Sequence, residues 1–186
     1  GNRPRQIQSR IANRNYGIAS KLVITSKNRD AYKVEFKDVP RRLTRQNGRI
    51  TKCLENIYLP LCKTGDVLPV ASEEDFKSVK KDDRVWKMIK LTPSNGLQTS
   101  LTIHVYESKL PGRRWMSPES MAKKEFSLVG SVQVQLHPDG KTNDAKDSTG
   151  REMQCWFYFG DHEIKTCVVD ITTGKIEQSA FLINPT

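Results

Sequence analysis

One run of nine residues, Thr99-Ser-Leu-Thr-Ile-His-Val-Tyr-Glu107, constrains the fold of this chain more than any other. Leu101, Ile103 and Val105 alternate with Thr102, His104 and Tyr106, so an extended backbone sends apolar side chains to one face and polar ones to the other. The run is therefore expected to be a half-buried β-strand. Asn95-Gly96, just upstream, tolerates positive φ and marks a tight turn, which predicts a hairpin whose first arm is Trp86-Lys-Met-Ile-Lys-Leu91.

Other strand signals follow at short intervals. Tyr16–Thr25 is rich in β-branched and apolar residues, and Ile57–Pro69 reads as a short strand closed by a Gly65-Asp66 turn and a proline. Phe126–Leu136 alternates through Val132, Val134 and Leu136. Met153–Phe159, Ile164–Asp170 and Gln178–Ile183, separated by turn residues, form a three-strand meander. Ser26–Asn56 is a long insertion in which Ala31–Phe36 alternates like a small strand and Gln46-Asn-Gly48 marks a hairpin turn. Residues 70–84 form a charged connection in which Ser72 caps a helical turn, and Ser108–Lys124 and His137–Gly150 read as surface loops. Residues 1–15 are too polar to form a domain, with Ile7 and Ile11 spaced for one face of a helical turn. Seven or eight strands and no long amphipathic helix predict an all-β fold, an antiparallel β-sandwich with long loop insertions.

Charge is unevenly distributed. The chain carries a net +10, but residues 1–52 hold 14 Lys and Arg against 3 Asp and Glu, and the rest is close to neutral. A basic segment on a neutral domain suits an acidic protein surface or RNA; a solvated basic face is the plainer reading. Its most basic part contains Arg41, Arg42, Arg45 and Arg49, and no aromatic residues interleave with them for base stacking. Cys53, Cys62, Cys155 and Cys167 lack zinc-ligand spacing, so buried free thiols and no metal site are expected. No window approaches the roughly 18 apolar residues of a membrane span, and the basic N-terminal stretch has no signal-peptide core. A cytoplasmic or nuclear protein without a membrane partner is expected. His104, His137 and His162 stand beside no nucleophile or ligand at catalytic spacing, and no glycine-rich phosphate loop is present, so no enzyme is expected.

Several of these stretches together resemble the peptide-binding β-domain of the seventy-kilodalton heat-shock (DnaK-type) chaperones. Ser94–Glu107 resembles the third and fourth strands of that domain, with a Thr-Ile-His-Val core. Lys63-x-Gly-Asp-x-x-Pro69 is similar to the end of its second strand, and the final meander resembles its last strands, with Glu163 standing where the family usually has a turn glycine. Arg5–Ile18 resembles the junction at which, in divergent relatives, an ATPase domain gives way to the β-domain, although the family's acidic-leucine linker is not there.

The resemblance implies residues 1–15 as a linker or the end of a missing ATPase domain, and 16–186 as a β-sandwich substrate-binding domain with 26–56 as a basic insertion and no helical lid. It implies extended apolar peptides or unfolded proteins as clients and the protein's own ATPase domain as partner; ATP would belong to that domain, with no cofactor in this chain. Its peptide pocket maps onto Ile18, Ser20, Lys21, Leu22, Leu91, Ser94, Leu101 and Ile103, with Lys21 or Leu22 in the place of an apolar arch residue. Alternatively these apolar residues are core, the groove is lost, and the chain is a basic module for an acidic protein or RNA.

Overall fold

The computed structural model describes residues 9–46, 48–78, 81–91, 98–110, 112–136, 153–171 and 173–183. In chain order its elements are β1 (Ser9–Ile11), β2 (Asn15–Val23), α1 (Arg29–Glu35), β3 (Arg42–Gln46), β4 (Arg49–Cys62), β5 (Val67–Pro69), α2 (Glu73–Lys77), β6 (Lys87–Leu91), β7 (Ser100–Ser108), α3 (Pro118–Ala122), β8 (Phe126–Gln135), β9 (Met153–Phe159), β10 (Glu163–Asp170) and β11 (Ile176–Leu182). The protein is all-β, with antiparallel sheets and three short helices among the described residues. Its contacts divide it into two units, one built from the described residues of Gly1–Asn15, Cys62–Thr92 and Arg151–Thr186, the other from those of Tyr16–Leu61 and Pro93–Gly150.

The first unit holds a four-stranded sheet in the order β11-β10-β9-β6 and a small ladder of β1 with β5. β9 is apolar on both of its faces, so it needs cover on both. On one face Trp156 and Tyr158 pack with Trp86, Cys167, Val169 and Phe76, the last delivered by α2. Phe76, Trp86 and Tyr158 meet pairwise with ring centroids 5.1–5.7 Å apart. On the other face Cys155, Phe157 and Phe159 are buried, and the register adds Leu91 beside Met153 and Ile164 beside Phe159. Each fully buried large side chain contributes roughly 1.5–3 kcal/mol. α2 begins in a capping box: Ser72 Oγ accepts from the Asp75 amide, and the Asp75 carboxylate accepts from the Ser72 amide at 2.7 Å.

The second unit is a five-stranded sheet in the order β3-β4-β2-β7-β8. Along β7 and β8 the alternation sets the register: Leu101 lies opposite Val134 and Ile103 opposite Val132, while Thr102 and His104 face Gln133 and Ser131 on the polar side. One cluster joins Phe36, Val39, Leu54 and Ile57, with Leu22, Tyr32 and Trp115 against it. Another joins Tyr58, Met116 and Phe126, with Ala19 and Tyr106.

Several local expectations are corrected. Trp86–Leu91 and Thr99–Glu107 are not arms of one hairpin: β6 pairs with β9, and β7 lies between β2 and β8 in the other sheet. A turn dipeptide fixes only a local reversal, whereas a strand's partner is chosen by its cross-strand neighbours; Asn95 and Gly96 themselves lie outside the described residues. Residues 31–35 lie in α1 and Phe36 is its C-cap, so this stretch is not a strand. The alternation of Tyr32, Val34 and Phe36 loses to the i, i+4 pair Tyr32 and Phe36, whose rings meet edge-on at 5.4 Å, and Val34 is left 79% exposed. β4 runs for 14 residues, so the second half of the insertion belongs to the sheet. Ser108–Lys124 is not a bare loop, since Trp115 bridges to Ile57, Met116 is buried and Ser117 caps α3. Residues 9–11 form a strand where a helical turn was expected, and Ile7 lies outside the described residues.

Gly17 marks the closest approach in the second unit. A Cβ there would stand 2.3 Å from the Leu59 carbonyl oxygen and 2.6 Å from the Tyr58 ring, and the first of these is backbone that cannot swing aside. Gly17→Ala is therefore expected to destabilise the protein by about 2 kcal/mol or more. A urea melt read by Trp fluorescence checks this, and the double variant Gly17→Ala, Tyr58→Ala is expected to show no rescue, because the Leu59 carbonyl remains.

Candidate functional site

β2 and β7 stand side by side in the five-stranded sheet and bring most of the expected pocket residues onto two neighbouring strands. Ile18 on β2 and Ile103 on β7 are buried. Ser20, Leu22 and Leu101 are half-buried, and Lys21 is exposed. Ser20 Oγ donates to the Ile57 carbonyl at 2.9 Å, Lys21 Nζ donates to Thr44 Oγ1 at 3.1 Å, and Leu22 packs on the Phe36 and Leu54 cluster. Along β7 the apolar face changes steadily: Val105 is fully buried, Ile103 nearly so, and Leu101 is half-covered. Leu91 is on β6, in the sheet of the first unit, and Ser94 lies outside the described residues.

The arginines separate into two roles. The Arg41 guanidinium donates to the carbonyls of Phe36, Val39 and Tyr32, at 2.6, 2.7 and 3.1 Å. It satisfies the carbonyls at the end of α1 and so belongs to the fold. Arg42 and Arg45 on β3 and Arg49 on β4 are exposed on a hairpin whose turn contains Gly48 at φ 76.

The groups with catalytic chemistry are held quietly. His104 Nδ1 lies 2.7 Å from Ser131 Oγ across the polar face of β7 and β8, a satisfied strand histidine. All four cysteines are buried free thiols. Burial pushes each thiol up; in Cys62 burial and the Asp66 carboxylate raise it to about 11, and in Cys167 the nearby Lys81 ammonium works against the rise. These are protonated, weakly nucleophilic thiols at neutral pH.

Sequence reasoning missed a groove in the first unit, of about 520 Å³, between α2 and the strands β10 and β11. Phe76 and Lys77 wall it, and Lys165, Cys167 and Gln178 floor it. Lys165 Nζ sits 3.9 Å from the centre of the Phe76 ring, and Gln178 donates its amide to the Phe76 carbonyl. The signal was Phe76, the single large apolar ring in an otherwise charged connection.

The thiols give a pH dependence with a definite sign. An unfolded thiol releases its proton near 9.0, whereas Cys62 in the fold keeps its own to about 11. Its contribution is complete below the lower value and is lost as pH rises through that interval, because there the folded state binds more protons. Urea midpoints measured below and above the interval are expected to fall more steeply for the wild type than for Cys62→Ala; equal slopes would assign the loss to other groups.

Among the described residues no helix is long and apolar enough to cross a membrane. No protein-family model matches the chain, and no curated protein matches it either.

Proposed function

We propose that this chain is the peptide-binding β-domain of a heat-shock-like chaperone, a β-sandwich that holds extended apolar segments of unfolded proteins beside β2 and β7. The observation that carries the reading is the graded cover of β7 next to β2: an apolar face closed at Val105 and Ile103 opens at Leu101. A peptide pocket needs an apolar floor that is partly uncovered, and Leu101 meets that requirement. The order of strands also supports it, since the aromatic strand β9, the short turn at Gly160, β10 and the turn at Gly174 follow one another as in the family it resembles.

In this reading an extended client is held by main-chain hydrogen bonds, with one apolar side chain seated against Leu101 and Leu22. Ile18 and Ile103 are the buried neighbours of that floor on the same two strands, and Ser20 is oriented by its bond to Ile57. Lys21 takes the arch position and is tethered to Thr44. The buried, protonated thiols and the hydrogen-bonded His104 support a binding role for this chain, with any nucleotide chemistry in a separate ATPase domain.

Seating one leucine side chain of a client contributes roughly 1.5–3 kcal/mol. Leu101→Asp is therefore expected to weaken binding of a labelled leucine-rich heptapeptide at least about tenfold, as an unpaired carboxylate replaces the apolar floor, while a half-buried position leaves the cooperative melt in place. Fluorescence anisotropy and a melting curve on the same samples separate the outcomes. A wild-type protein that melts cooperatively yet binds no member of a varied peptide panel would sink the proposal, and so would a Leu101→Asp variant that binds unchanged.

A further inference from the structure

The β3 and β4 hairpin has an open edge whose chemistry specifies a partner. In the sheet order β3 is terminal, and among the described residues no strand pairs with its outer side. The direction of its amide groups follows from one hydrogen bond. Lys52 lies on β4, and its carbonyl accepts from the Ile24 amide at 2.9 Å, just beyond the end of β2. The main-chain N–H and C=O of one strand residue point to the same side, so those of Lys52 point away from β3. Lys52 is opposite Leu43, which makes that pair one without mutual hydrogen bonds, and the alternation makes Arg45 and Ile50 another. Leu43 and Arg45 therefore direct their N–H and C=O groups outward, along the open edge.

The side chains on the same hairpin are chemically one-sided. Residues 41–52 contain five Lys and Arg and no Asp or Glu, and after Arg41 is committed to α1, Arg42, Arg45, Arg49 and Lys52 remain. On one face the register sets Leu43 and Ile50 diagonally between Arg45 and Lys52, and both apolar chains are exposed, at 72% and 63%. A cationic edge with two uncovered aliphatic side chains repels a second copy of itself, which charged edge residues are known to do. It attracts an extended segment of the opposite sign that carries aliphatic residues in alternation.

We infer that β3 is a second docking site, distinct from the strands β2 and β7, which takes an acidic, aliphatic polypeptide segment as an added β-strand. The segment forms main-chain hydrogen bonds with Leu43 and Arg45, lays its aliphatic side chains along the face that carries Leu43 and Ile50, and sets its carboxylates on the opposite face, which Arg42 and Arg49 share by register. The inference stands whether or not the apolar groove binds clients, because it uses none of the same residues.

The test uses a fluorescein-labelled heptapeptide of alternating glutamate and valine, with a glutamate homopeptide, a lysine and valine counterpart and a short RNA as comparisons. The glutamate and valine peptide is expected to bind best and with a strong dependence on salt. Arg45→Pro removes one outward N–H without taking a bond from the sheet, a position at which edge strands accept proline, and is expected to weaken this peptide about tenfold or more. Hydrogen exchange on the wild-type protein provides the second reading: the Leu43 and Arg45 amides, open in the free protein, become protected when the peptide is added. Lack of that protection overturns the inference, whether or not the proline variant folds. So does an Arg45→Pro variant that folds and binds as the wild type, a glutamate homopeptide that binds equally well, or an RNA that outcompetes the peptide.

Discussion

The double-sided burial of β9 is the constraint on which the first unit depends. A strand that is apolar on both faces cannot lie at an edge or under solvent, so it has β10 on one side and β6 on the other and an apolar layer on each face. That demand accounts for elements that otherwise have little reason to exist. α2 is five residues long and too short to be stable alone, yet it is capped at Ser72 and carries Phe76 onto Trp86 and Tyr158. Lys81 is buried there as well, with its amine donating to the Asp75 carbonyl and lying 4.6 Å from the centre of the Trp86 ring, so that a charged group closes an aromatic cluster.

The second unit is organised by a different requirement, a sheet whose faces differ in chemistry. β7 and β8 keep an apolar ladder and a polar ladder apart over most of their length, and between the Val105–Gly130 and Tyr106–Leu128 pairs β8 carries one extra residue, Val129, beside the tyrosine that packs with Tyr58 and Phe126. β4 makes a similar adjustment at Asn56, whose φ of 57 breaks the regular pleat just before Ile57 meets Trp115. In both places a local departure from regular strand geometry lies next to an aromatic contact.

What was legible in the chain was alternation and composition. The strands β7, β8, β9 and β10 were readable because each repeats its pattern for most of its length, and the helix cap at Ser72 because its chemistry is local. Pairing was not readable: nothing within Trp86–Leu91 says that its neighbour will be β9, because that choice depends on apolar matching with residues far along the chain. The first half of β4 was hidden because Arg49–Glu55 is polar enough to pass for a loop, and α1 because a six-residue apolar pattern fits two periods at once. The candidate site was half legible. Its residues on β2 and β7 could be named, but their cover could not, since burial at Ile18 and exposure at Lys21 are set by what packs over each, and Arg41 looked like surface charge until the carbonyls of α1 gave it a place.

The pairing of β6 with β9 bears on the order in which the protein can assemble as it is made. The first unit draws three of its four long strands from the segment after residue 152, yet its other parts, Trp86 and Leu91 among them, are synthesised well before. Until Met153–Leu182 emerges, those apolar side chains have no sheet to enter, whereas the strands of the second unit are already complete by Gln135. Synthesis thus imposes a sequence in which one half can close early while the other waits with uncovered aromatic surface, a slow and association-prone interval of the kind that long-range strand pairing creates.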